Sequence, residues 1–360
     1  MIESGRMRAY YLSVISGRRR GPGAALLRGI LRAGSWIYAV LHWGRRFLYS
    51  AGILRAVRLP CPVISVGNIT CGGTGKTPFV EFLARWFARK NFRVAVLARG
   101  YGRLEDPRRD DEDLLSEMAL ENVVRLAGAD RTALAHRALS EFGAEVVILD
   151  DGFQHYRLHR TLDLVLVDAT DPFAGGRLLP RGLLREPPAA LRRADLVILT
   201  RVDQAEPGTL EALRRELGAP VEAIHRPVAV RHLASRKVFG LDWLRDRPVH
   251  AFCGVGNPES FRRTLQAAGA RVVMFRSFPD HHRYTPSDRR RLDAEAREFM
   301  AEALVTTEKD AAGLDPSEFT LPLAALRVEF EIVRGEEILE DRLLGVVREI
   351  PRPAASPLPR

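Results

Sequence analysis

The strongest chemical signal in the sequence is a glycine-rich segment that ends in lysine and threonine. It consists of Thr70, Cys71, Gly72, Gly73, Thr74, Gly75, Lys76 and Thr77. Apart from Thr70 in place of the first glycine, the segment follows the pattern GxxxxGK[ST], in which backbone N–H groups and the lysine bind phosphates and the hydroxyl binds Mg²⁺. The chain has only four lysines against 51 arginines, so a lysine here goes against a strong bias. The segment predicts an ATP site; the alternative is a strand–helix turn that binds no ligand.

A pair of carboxylates follows a buried apolar run further along the chain. Asp150 and Asp151 come directly after the run 146–149 and precede Gly152. Carboxylates at the end of a strand that neighbours a phosphate loop support Mg²⁺ or its water in nucleotide-binding proteins. Asp-Asp-Gly is by itself also a common turn, but its position downstream of a phosphate loop favours the metal site. The sequence predicts that Asp150 and Asp151 act with Thr77 as Mg²⁺ ligands.

Four further clusters of charged side chains fall where strands are expected to end, the edge at which open α/β sheets bind ligands. They are Arg99 with Tyr101 and Arg103, the acidic run 110–113, Arg177, Arg181, Arg185 and Glu186 within 175–186, and Asp280 with His281 and His282. The segment 175–186 is suited to gripping an anionic substrate or to forming a solvated cover, and the acidic run is also suited to capping a helix. The Asp-His-His run lacks further ligands at zinc spacing, which favours a histidine–carboxylate pair in proton transfer.

The net charge of +10 lies entirely in an N-terminal arm, because residues 1–60 contain eleven arginines and one acidic residue while the remainder is balanced. The run 33–44 without arginine is too short for a standard membrane span of about 20 residues. The pattern predicts a helix that lies on an anionic membrane surface or crosses it as a short, snorkelling segment, and the alternative is a soluble helix packed on the body. Arginines interleaved with an aliphatic face disfavour nucleic acid. Aromatic side chains suited to headgroup depth are Trp36, Tyr38, Trp43 and Tyr49.

Beyond residue 60, short β-rich runs alternate with helical ones, which indicates an α/β fold with a mostly parallel sheet. Strands are predicted at 62–68, 93–98, 144–150, 162–168, 194–200, 250–255, 271–275, 303–307 and 325–333. Helices are predicted at 77–90, 113–120, 130–141, 207–217, 258–269, 286–301 and 336–349. The segment 220–247 is extended without a helix period, which indicates a connector, and 351–360 is expected to be disordered. Segments 200–203 and 306–310 are strand-end loops of a kind that can surround a nucleotide base.

Composition excludes several classes of protein. Hydrophobic residues make up 46% and charged residues 28% of 360, which excludes wholesale disorder and is enough for two domains. Cys61, Cys71 and Cys253 form no CxxC pair, which excludes a disulfide scaffold and a thiolate zinc site. The cytosol or its membrane face is the expected compartment.

Taken in order, the motifs closely resemble those of one family, the tetraacyldisaccharide 4′-kinases, or lipid A 4′-kinases, of Gram-negative bacteria. The resemblance runs from about residue 20 to 335, and Thr70 is typical of this family's loop. A generic phosphate-loop protein would share only the first of the motifs, which are VGNITCGGTGKTP (66–78), ARGYGR (98–103), LDDGFQH (149–155), LLPRGLLREP (178–187), FPDHHRY (278–284) and TTEKDA (306–311).

The resemblance implies two α/β/α domains, the first with the mostly parallel sheet of P-loop NTPases, joined by a β-strand linker and preceded by a membrane-associated helix. The expected divisions are an arm at 1–58, a kinase domain at 59–220, a linker at 221–248, a second α/β domain at 249–350 and a tail at 351–360.

The resemblance also implies the reaction: with Mg²⁺, the γ-phosphoryl group of ATP passes to the 4′-hydroxyl of a tetraacyldisaccharide 1-phosphate, giving lipid IV-A. The implied location is the cytoplasmic face of the inner membrane. This accounts for the arm, because a lipid with four acyl chains leaves a bilayer at a cost of about 0.8 kcal/mol per exposed CH₂.

By resemblance, Lys76 and Thr77 bind phosphate and Mg²⁺, Asp150 and Asp151 serve the metal, and Asp111 is the general base, coupled to His281 of the second domain. The chain has Asp-Asp-Glu-Asp at 110–113 where the family has Gly-Asp-Glu-Pro. Asp110 and Asp113 therefore stay open as alternatives to Asp111, as does His282 to His281. The residues expected to line the substrate pocket are Arg99, Tyr101, Glu112, Arg131, His155, Arg185 and Glu186.

Two other classes of function compete with the kinase. One is a membrane-associated P-loop ATPase or nucleotide switch that acts on a protein partner, and the other is a lipid-surface scaffold with a vestigial loop. The discriminating property is the acceptor, because a kinase leaves its phosphate on lipid whereas a switch releases it to water.

Overall fold

A computed structural model describes residues 2–100, 122–280, 282–348 and 350 and has the predicted α/β architecture. The strands are β1 Val63–Gly67, β2 Val94–Ala98, β3 Val123–Ala127, β4 Val146–Asp150, β5 Leu162–Asp168, β6 Leu196–Thr200, β7 Val221–His232, β8 Val238–Phe239, β9 Pro248–Cys253, β10 Arg271–Ser277, β11 Ala303–Thr307 and β12 Leu323–Arg334. The α-helices are α1 Ile2–Ile15, α2 Pro22–Ser50, α3 Lys76–Arg89, α4 Arg131–Phe142, α5 Pro207–Leu217, α6 Pro258–Ala267, α7 Pro286–Glu298, α8 Glu308–Ala311 and α9 Glu336–Arg348.

These strands form one sheet in the order β10-β9-β11-β12-β7-β6-β5-β1-β4-β2-β3, with β8 on β7. Neighbours are parallel except for the β7–β12 and β7–β8 pairs, which are antiparallel. The long β7–β12 ladder therefore joins a parallel sheet built from the first half of the chain to a second parallel sheet built from β9, β10 and β11. Both parallel parts are built largely from strand–helix repeats, which explains why most of their strands are runs of apolar residues.

The predicted strands and helices within the described residues are confirmed, with three differences. Strand β3 was not predicted, because VVRLA is a short run with an arginine at its centre. The predicted connector 220–247 contains β7, whose charged side chains lie between buried ones. The predicted loop at 306–310 includes the short helix α8. The division into separate domains stays a prediction.

Helix α3, which follows the phosphate loop, is covered by elements from the end of the chain. Its apolar face includes Phe79, Leu83 and Phe87, which pack with buried side chains of β12 and α9. The rings of Phe79 and Phe330 of β12 have their centroids 4.9 Å apart. The helix is therefore held on the sheet by side chains far from it in sequence.

The predicted N-terminal arm is a pair of helices, α1 and α2. The 29 residues of α2 are long and apolar enough to cross a membrane, and 6% of its most apolar stretch is buried. One face contacts the body: the Ser35 hydroxyl donates to the carbonyl of Leu178 at 3.0 Å, and the Tyr38 hydroxyl donates to that of Arg185 at 3.0 Å. The opposite face is exposed and apolar, with Trp36 72% exposed. Its other exposed apolar residues are Leu26, Ile30, Ile37, Val40, Leu41, Trp43 and Phe47.

Candidate active site

The phosphate-loop segment connects β1 to the first turn of α3. Gly75 precedes the helix with a φ of 86°, a left-handed conformation that favours glycine. A Cβ at this position would lie 2.5 Å from the ring of His225 on β7, so the close approach also requires glycine. Because Gly75 has no side chain to cap α3, the first N–H groups and the positive end of the helix are left for an anion.

Two neighbouring segments fix the backbone of the loop. The amide of Cys71 donates to the carbonyl of Leu183 at 2.6 Å, and the amide of Arg185 donates to that of Ile69 at 2.7 Å. On the other side, a Cβ at Gly256 would lie 1.9 Å from the amide nitrogen of Gly73, so the two backbones are in direct contact. The segment 175–186 and the loop after β9 therefore both reach the phosphate loop, one from each half of the sheet.

Three basic side chains converge on Asp151. Both of its carboxylate oxygens accept hydrogen bonds from Nη1 of Arg185 at 2.7 Å, and Oδ1 is 3.5 Å from Nζ of Lys76. Arg131, at the start of α4, donates to the backbone carbonyl of Asp151 at 3.0 Å. Burial by itself raises the pKa of Asp151, but the charges of Lys76 and Arg185 outweigh burial and lower it overall. The structure thus brings four sequence-predicted residues into one cluster, called the cation centre.

The neighbouring carboxylate has a different partner. Asp150 ends β4, and one of its oxygens lies 3.8 Å from a guanidinium nitrogen of Arg125 on β3. Asp151 lies beyond the strand with a φ of 56°, and its contacts differ from those of Asp150. Thr77 lies exposed in the first turn of α3.

Glu186 lies beside the cation centre in a buried polar network. It is 1% exposed and is held by Arg193 at 2.7 Å and by the Gln154 amide at 2.9 Å. The same amide donates to the carbonyl of Asn68 at 2.9 Å, which ties Glu186 to the phosphate loop. Arg193 also donates to the Tyr156 hydroxyl at 2.8 Å. Gln154 lies inside the motif LDDGFQH (149–155) but was not predicted as a site residue. Arg193 lies in an arginine-rich stretch whose sequence does not indicate a functional site.

His155 is a neutral imidazole at this edge of the sheet. Burial, together with the positive charge of Arg131 and other arginines, lowers its pKa to about 4. It therefore carries no charge at neutral pH, so one ring nitrogen can donate a hydrogen bond and the other can accept one. Arg99, exposed directly after β2, lies at the carboxyl end of the same sheet.

A second buried cluster joins the two parallel parts of the sheet near the phosphate loop. It was not predicted from the sequence. Asp168 at the end of β5 forms an ion pair with Arg201, which follows β6. The side-chain amide of Asn257, which caps α6, donates to Asp168 at 3.0 Å and to Thr170 at 3.0 Å. Burial by itself raises the pKa of Asp168, but Arg201 and the hydrogen bonds lower it overall. The signal that could have found Asn257 is its sequence, Val-Gly-Asn after a strand, which repeats that of 66–68.

Several predicted residues lie outside the described part of the chain. They are Tyr101, Asp111, Glu112 and His281, together with the alternatives Asp110 and Asp113, the predicted helix 113–120 and the tail 351–360. The two residues that flank His281 are described and have partners. Asp280 pairs with Lys309 at 2.7 Å, and Nε2 of His282 lies 3.0 Å from Asp288.

The chain matches one family of known proteins along most of its length. A family model described as tetraacyldisaccharide-1-P 4′-kinase matches residues 27–348. Among curated proteins, the tetraacyldisaccharide 4′-kinase of Anaeromyxobacter sp. (strain Fw109-5) is 44% identical over 91% of this chain and 94% of its own length. That of Syntrophus aciditrophicus is 40% identical over 92% of this chain and 95% of its own.

A solved structure is similar along most of the chain. LpxK from Aquifex aeolicus, crystallised in complex with ATP, is 33% identical, with a TM-score of 0.67 over 89% of this chain and 99% of that one. The similarity therefore covers both halves of the sheet and not only the phosphate-loop half.

Proposed function

Because the chain belongs to the tetraacyldisaccharide-1-P 4′-kinase family and is thus an ATP-dependent lipid A 4′-kinase, we propose how its residues divide the reaction among them. The reaction transfers the γ-phosphoryl group of ATP to the 4′-hydroxyl of a tetraacyldisaccharide 1-phosphate, giving lipid IV-A. The nucleotide switch and the lipid-surface scaffold are not favoured. The observation that carries the proposal is the convergence of Lys76, Arg185 and Arg131 on Asp151 next to the open end of α3.

The phosphate loop, Thr70 to Thr77, binds the triphosphate of ATP. Its backbone N–H groups and the positive end of α3 face the phosphates, and Lys76 contacts the β- and γ-oxygens. In the structure Lys76 is held by Asp151, which keeps the ammonium in the loop and balances its charge. Catalysis is then mainly positional and electrostatic, with the lysine and Arg185 placed where negative charge spreads in the transition state.

The oxygen donors beside Lys76 fit Mg²⁺, which prefers carboxylate, hydroxyl, phosphate and water oxygens. Thr77, in the first turn of α3, supplies a hydroxyl, and Asp150, which ends β4, and Asp151, which follows it, supply carboxylates. We assign these three residues to the metal that accompanies ATP. When bound, Mg²⁺ neutralises phosphate charge and orients the γ-phosphoryl group.

The acceptor side of the site is assigned from the family motifs. Asp111 is the general base that receives the proton of the sugar hydroxyl, and His281 positions it, while Asp110, Asp113 and His282 remain alternatives. The disaccharide and its phosphate are contacted by Arg99, Tyr101, Glu112, Arg131, His155, Arg185 and Glu186. The location of Glu186 and His155 beside the cation centre supports this assignment.

The membrane brings the lipid to the site. We place the exposed apolar face of α2 in the bilayer at the cytoplasmic face of the inner membrane, because its buried face contacts the segment that carries Arg185 and Glu186. The three cysteines are free thiols, which suits a reducing compartment. The acceptor sugar then reaches the cation centre while its acyl chains remain in lipid.

Mass spectrometry of the lipid product tests the reaction and the phosphate-loop role together. Protein in detergent is incubated with ATP, Mg²⁺ and tetraacyldisaccharide 1-phosphate, and we expect one phosphoryl group to be added at the 4′ position. Lys76→Ala should abolish the product, whereas Lys90→Ala, the same change at the far end of α3, should retain it. Product formation by Lys76→Ala at the wild-type rate would refute the assignment.

The base is tested by comparing Asp110→Asn, Asp111→Asn and Asp113→Asn in steady-state kinetics. We expect kcat to fall at least a hundredfold in the Asp111 variant alone, with little change in KM for ATP. A loss confined to another of the three variants would move the base to that residue.

A matched test of the membrane role compares Trp36→Asp on α2 with Val238→Asp in the body, since both side chains are apolar and exposed. Only Trp36→Asp should weaken binding to lipid vesicles.

A further inference from the structure

The segment 175–186 holds a buried arginine between the two N-terminal helices. Arg181 is 9% exposed, and its Nη1 donates to the carbonyl of Ile15, the last residue of α1, at 2.8 Å. Its backbone amide donates to the Ser35 hydroxyl on α2 at 3.1 Å. The guanidinium is therefore fixed in place at the base of the arm, outside the cation centre.

The charges of three more arginines act on Arg181. Arg28 and Arg32 precede Ser35 at helical spacing on the same side of α2, and a helix places residues at i, i+4 and i+7 above one another. Arg177 is brought close because the backbone of Gly182 packs on its carbonyl, which would lie 2.2 Å from a Cβ at Gly182. We call Arg28, Arg32, Arg177 and Arg181 the arginine cluster.

The charge of this cluster is not balanced by the side chains around it. Burial lowers the pKa of Arg181, and the charges of Arg177, Arg28 and Arg32 lower it further. The Tyr11 phenol acts in the opposite sense and raises it, and within the described part of the chain Arg181 forms no ion pair with a carboxylate. Guanidinium groups gathered in this way are stabilised by a shared anion, which they bind through paired N–H donors.

The surroundings identify the class of anion. Arg32 lies one helical turn before Trp36, which is 72% exposed at the edge of the apolar face of α2, so the cluster adjoins that face. Arg32 and Arg177 are themselves exposed, so an anion can reach them. At the boundary between an apolar face and guanidinium groups, the anions that a bilayer presents are lipid phosphates.

We propose that the arginine cluster is a binding site for the phosphate of anionic phospholipid headgroups. The site rests on the proposed location of α2 at the membrane and adds a specific lipid contact to it. Because Arg177 and Arg181 lie on the segment that ends in Arg185 and Glu186, a bound headgroup also orders the segment that contacts the phosphate loop. The occupant is a lipid of the surrounding membrane and not the acceptor, whose reacting sugar is held at the cation centre.

The test uses the two exposed members, because replacing Arg181 would also remove its bond to α1. Full-length Arg32→Gln/Arg177→Gln is compared with Arg45→Gln/Arg46→Gln, which removes the same charge from a later part of α2, outside the arginine cluster. Flotation measures binding to vesicles of phosphatidylcholine alone and to vesicles that also contain about 30% phosphatidylglycerol. Phosphatidylglycerol is anionic and gives the vesicle surface a negative charge.

The wild type should bind the anionic vesicles more tightly than the neutral ones. The Arg32/Arg177 variant should lose roughly tenfold or more on anionic vesicles relative to the Arg45/Arg46 variant, with equal binding of both to neutral vesicles. Equal losses in the two variants would mean diffuse attraction and overturn the site. A raised KM for the acceptor in neutral detergent, with vesicle binding unchanged, would assign the cluster to the substrate's phosphate and also overturn it.

The same experiment distinguishes a wrong assignment of the arginine cluster from a wrong location of α2 at the membrane. If the wild type binds neutral and anionic vesicles equally, α2 is still a membrane helix but the arginine cluster has no lipid role. If the wild type binds neither, the location of α2 and the site both fall, while kinase activity in detergent remains.

Discussion

Asparagine substitutions at two adjacent carboxylates give a sharp test of the cation centre. Asp151 accepts two hydrogen bonds of 2.7 Å from Arg185 and lies 3.5 Å from Lys76, whereas Asp150 has a 3.8 Å contact with Arg125. Asn keeps the volume of Asp and removes its charge. Asp151→Asn leaves two cations side by side without a counter-charge, and Asp150→Asn does not.

The geometry sets the expected magnitudes. The side chains of Asp151 and Arg185 are 13% and 23% exposed, and breaking such a buried pair costs about 3–5 kcal/mol. Asp150 and Arg125 are similarly buried, at 16% and 19% exposed, but their contact is 3.8 Å long and includes no hydrogen bond. We therefore expect Asp151→Asn to lower the free energy of unfolding by about 1–3 kcal/mol more than Asp150→Asn, which is the contribution of a charge-assisted hydrogen bond. The triphosphate of ATP supplies negative charge to the same cations. Saturating ATP should therefore reduce the difference in the free energy of unfolding between Asp151→Asn and Asp150→Asn.

Urea titration followed by circular dichroism in detergent measures both variants, with and without ATP in EDTA. The double variant Asp151→Asn/Arg185→Met should be more stable than the sum of the two single losses by at least about 1 kcal/mol, because it no longer leaves Arg185 unpaired. Equal destabilisation by Asp150→Asn and Asp151→Asn, or single losses that add within about 0.5 kcal/mol, would refute the reasoning.

The difference in stability between the wild type and Asp151→Asn should depend on pH in one direction. The pKa of Asp151 is lowered in the folded protein, so its stabilising contribution is fully present above the ordinary Asp value of about 3.9 and is lost as the pH falls through the lower folded value. The difference between wild type and Asp151→Asn should therefore stay constant at neutral pH and shrink only in strong acid.

Three further predictions concern residues around the cation centre. Because the pKa of His155 is lowered to about 4, the wild type loses stability as the pH falls from about 6.5, and His155→Asn should flatten that part of a urea-midpoint profile; an unchanged slope would contradict the neutral imidazole. Arg193→Met removes the ion pair of Glu186 and should lower kcat/KM at least tenfold, with partial recovery in Arg193→Lys; wild-type kinetics in both would exclude a positioning role. Asn257→Ala removes the 3.0 Å bond to Asp168 and should raise KM for ATP roughly tenfold, measured by ATP titration at saturating acceptor; an unaltered KM would show that the link between the halves does not act on the nucleotide site.

Local sequence was sufficient for the elements whose residues are contiguous. The phosphate loop, the paired aspartates after β4 and the alternating strands and helices are patterns within a few residues of each other, and the structure has them where they were predicted. Strand β3 was missed, and β7 was predicted only as part of an extended β-strand linker, because each mixes charged and apolar residues. Their identity depends on neighbours in the sheet, β2 for the first and β12 for the second.

The partners of the site residues could not be read from the sequence. Arg193 and Glu186 are close in the chain, but nothing in their spacing shows that a guanidinium reaches the carboxylate at 2.7 Å. Asn257 is separated from Asp168 by 89 positions, and the contact exists because the β7–β12 ladder sets the second half of the sheet beside the first. Local patterns carry no information about such distances.

The sequence by itself determined the chemistry of this protein: a phosphate-binding loop, carboxylates suited to Mg²⁺, an arginine-rich apolar arm and the order of motifs that resembles one kinase family. These properties follow from residue types and short spacings, which fix hydrogen-bonding capacity and charge before folding. Only the tertiary structure decided that Lys76, Arg131 and Arg185 share Asp151, and that α2 packs on the segment carrying Arg185 and Glu186. The physical reason is that charges balance and apolar faces pack across strands and helices that are distant in the chain.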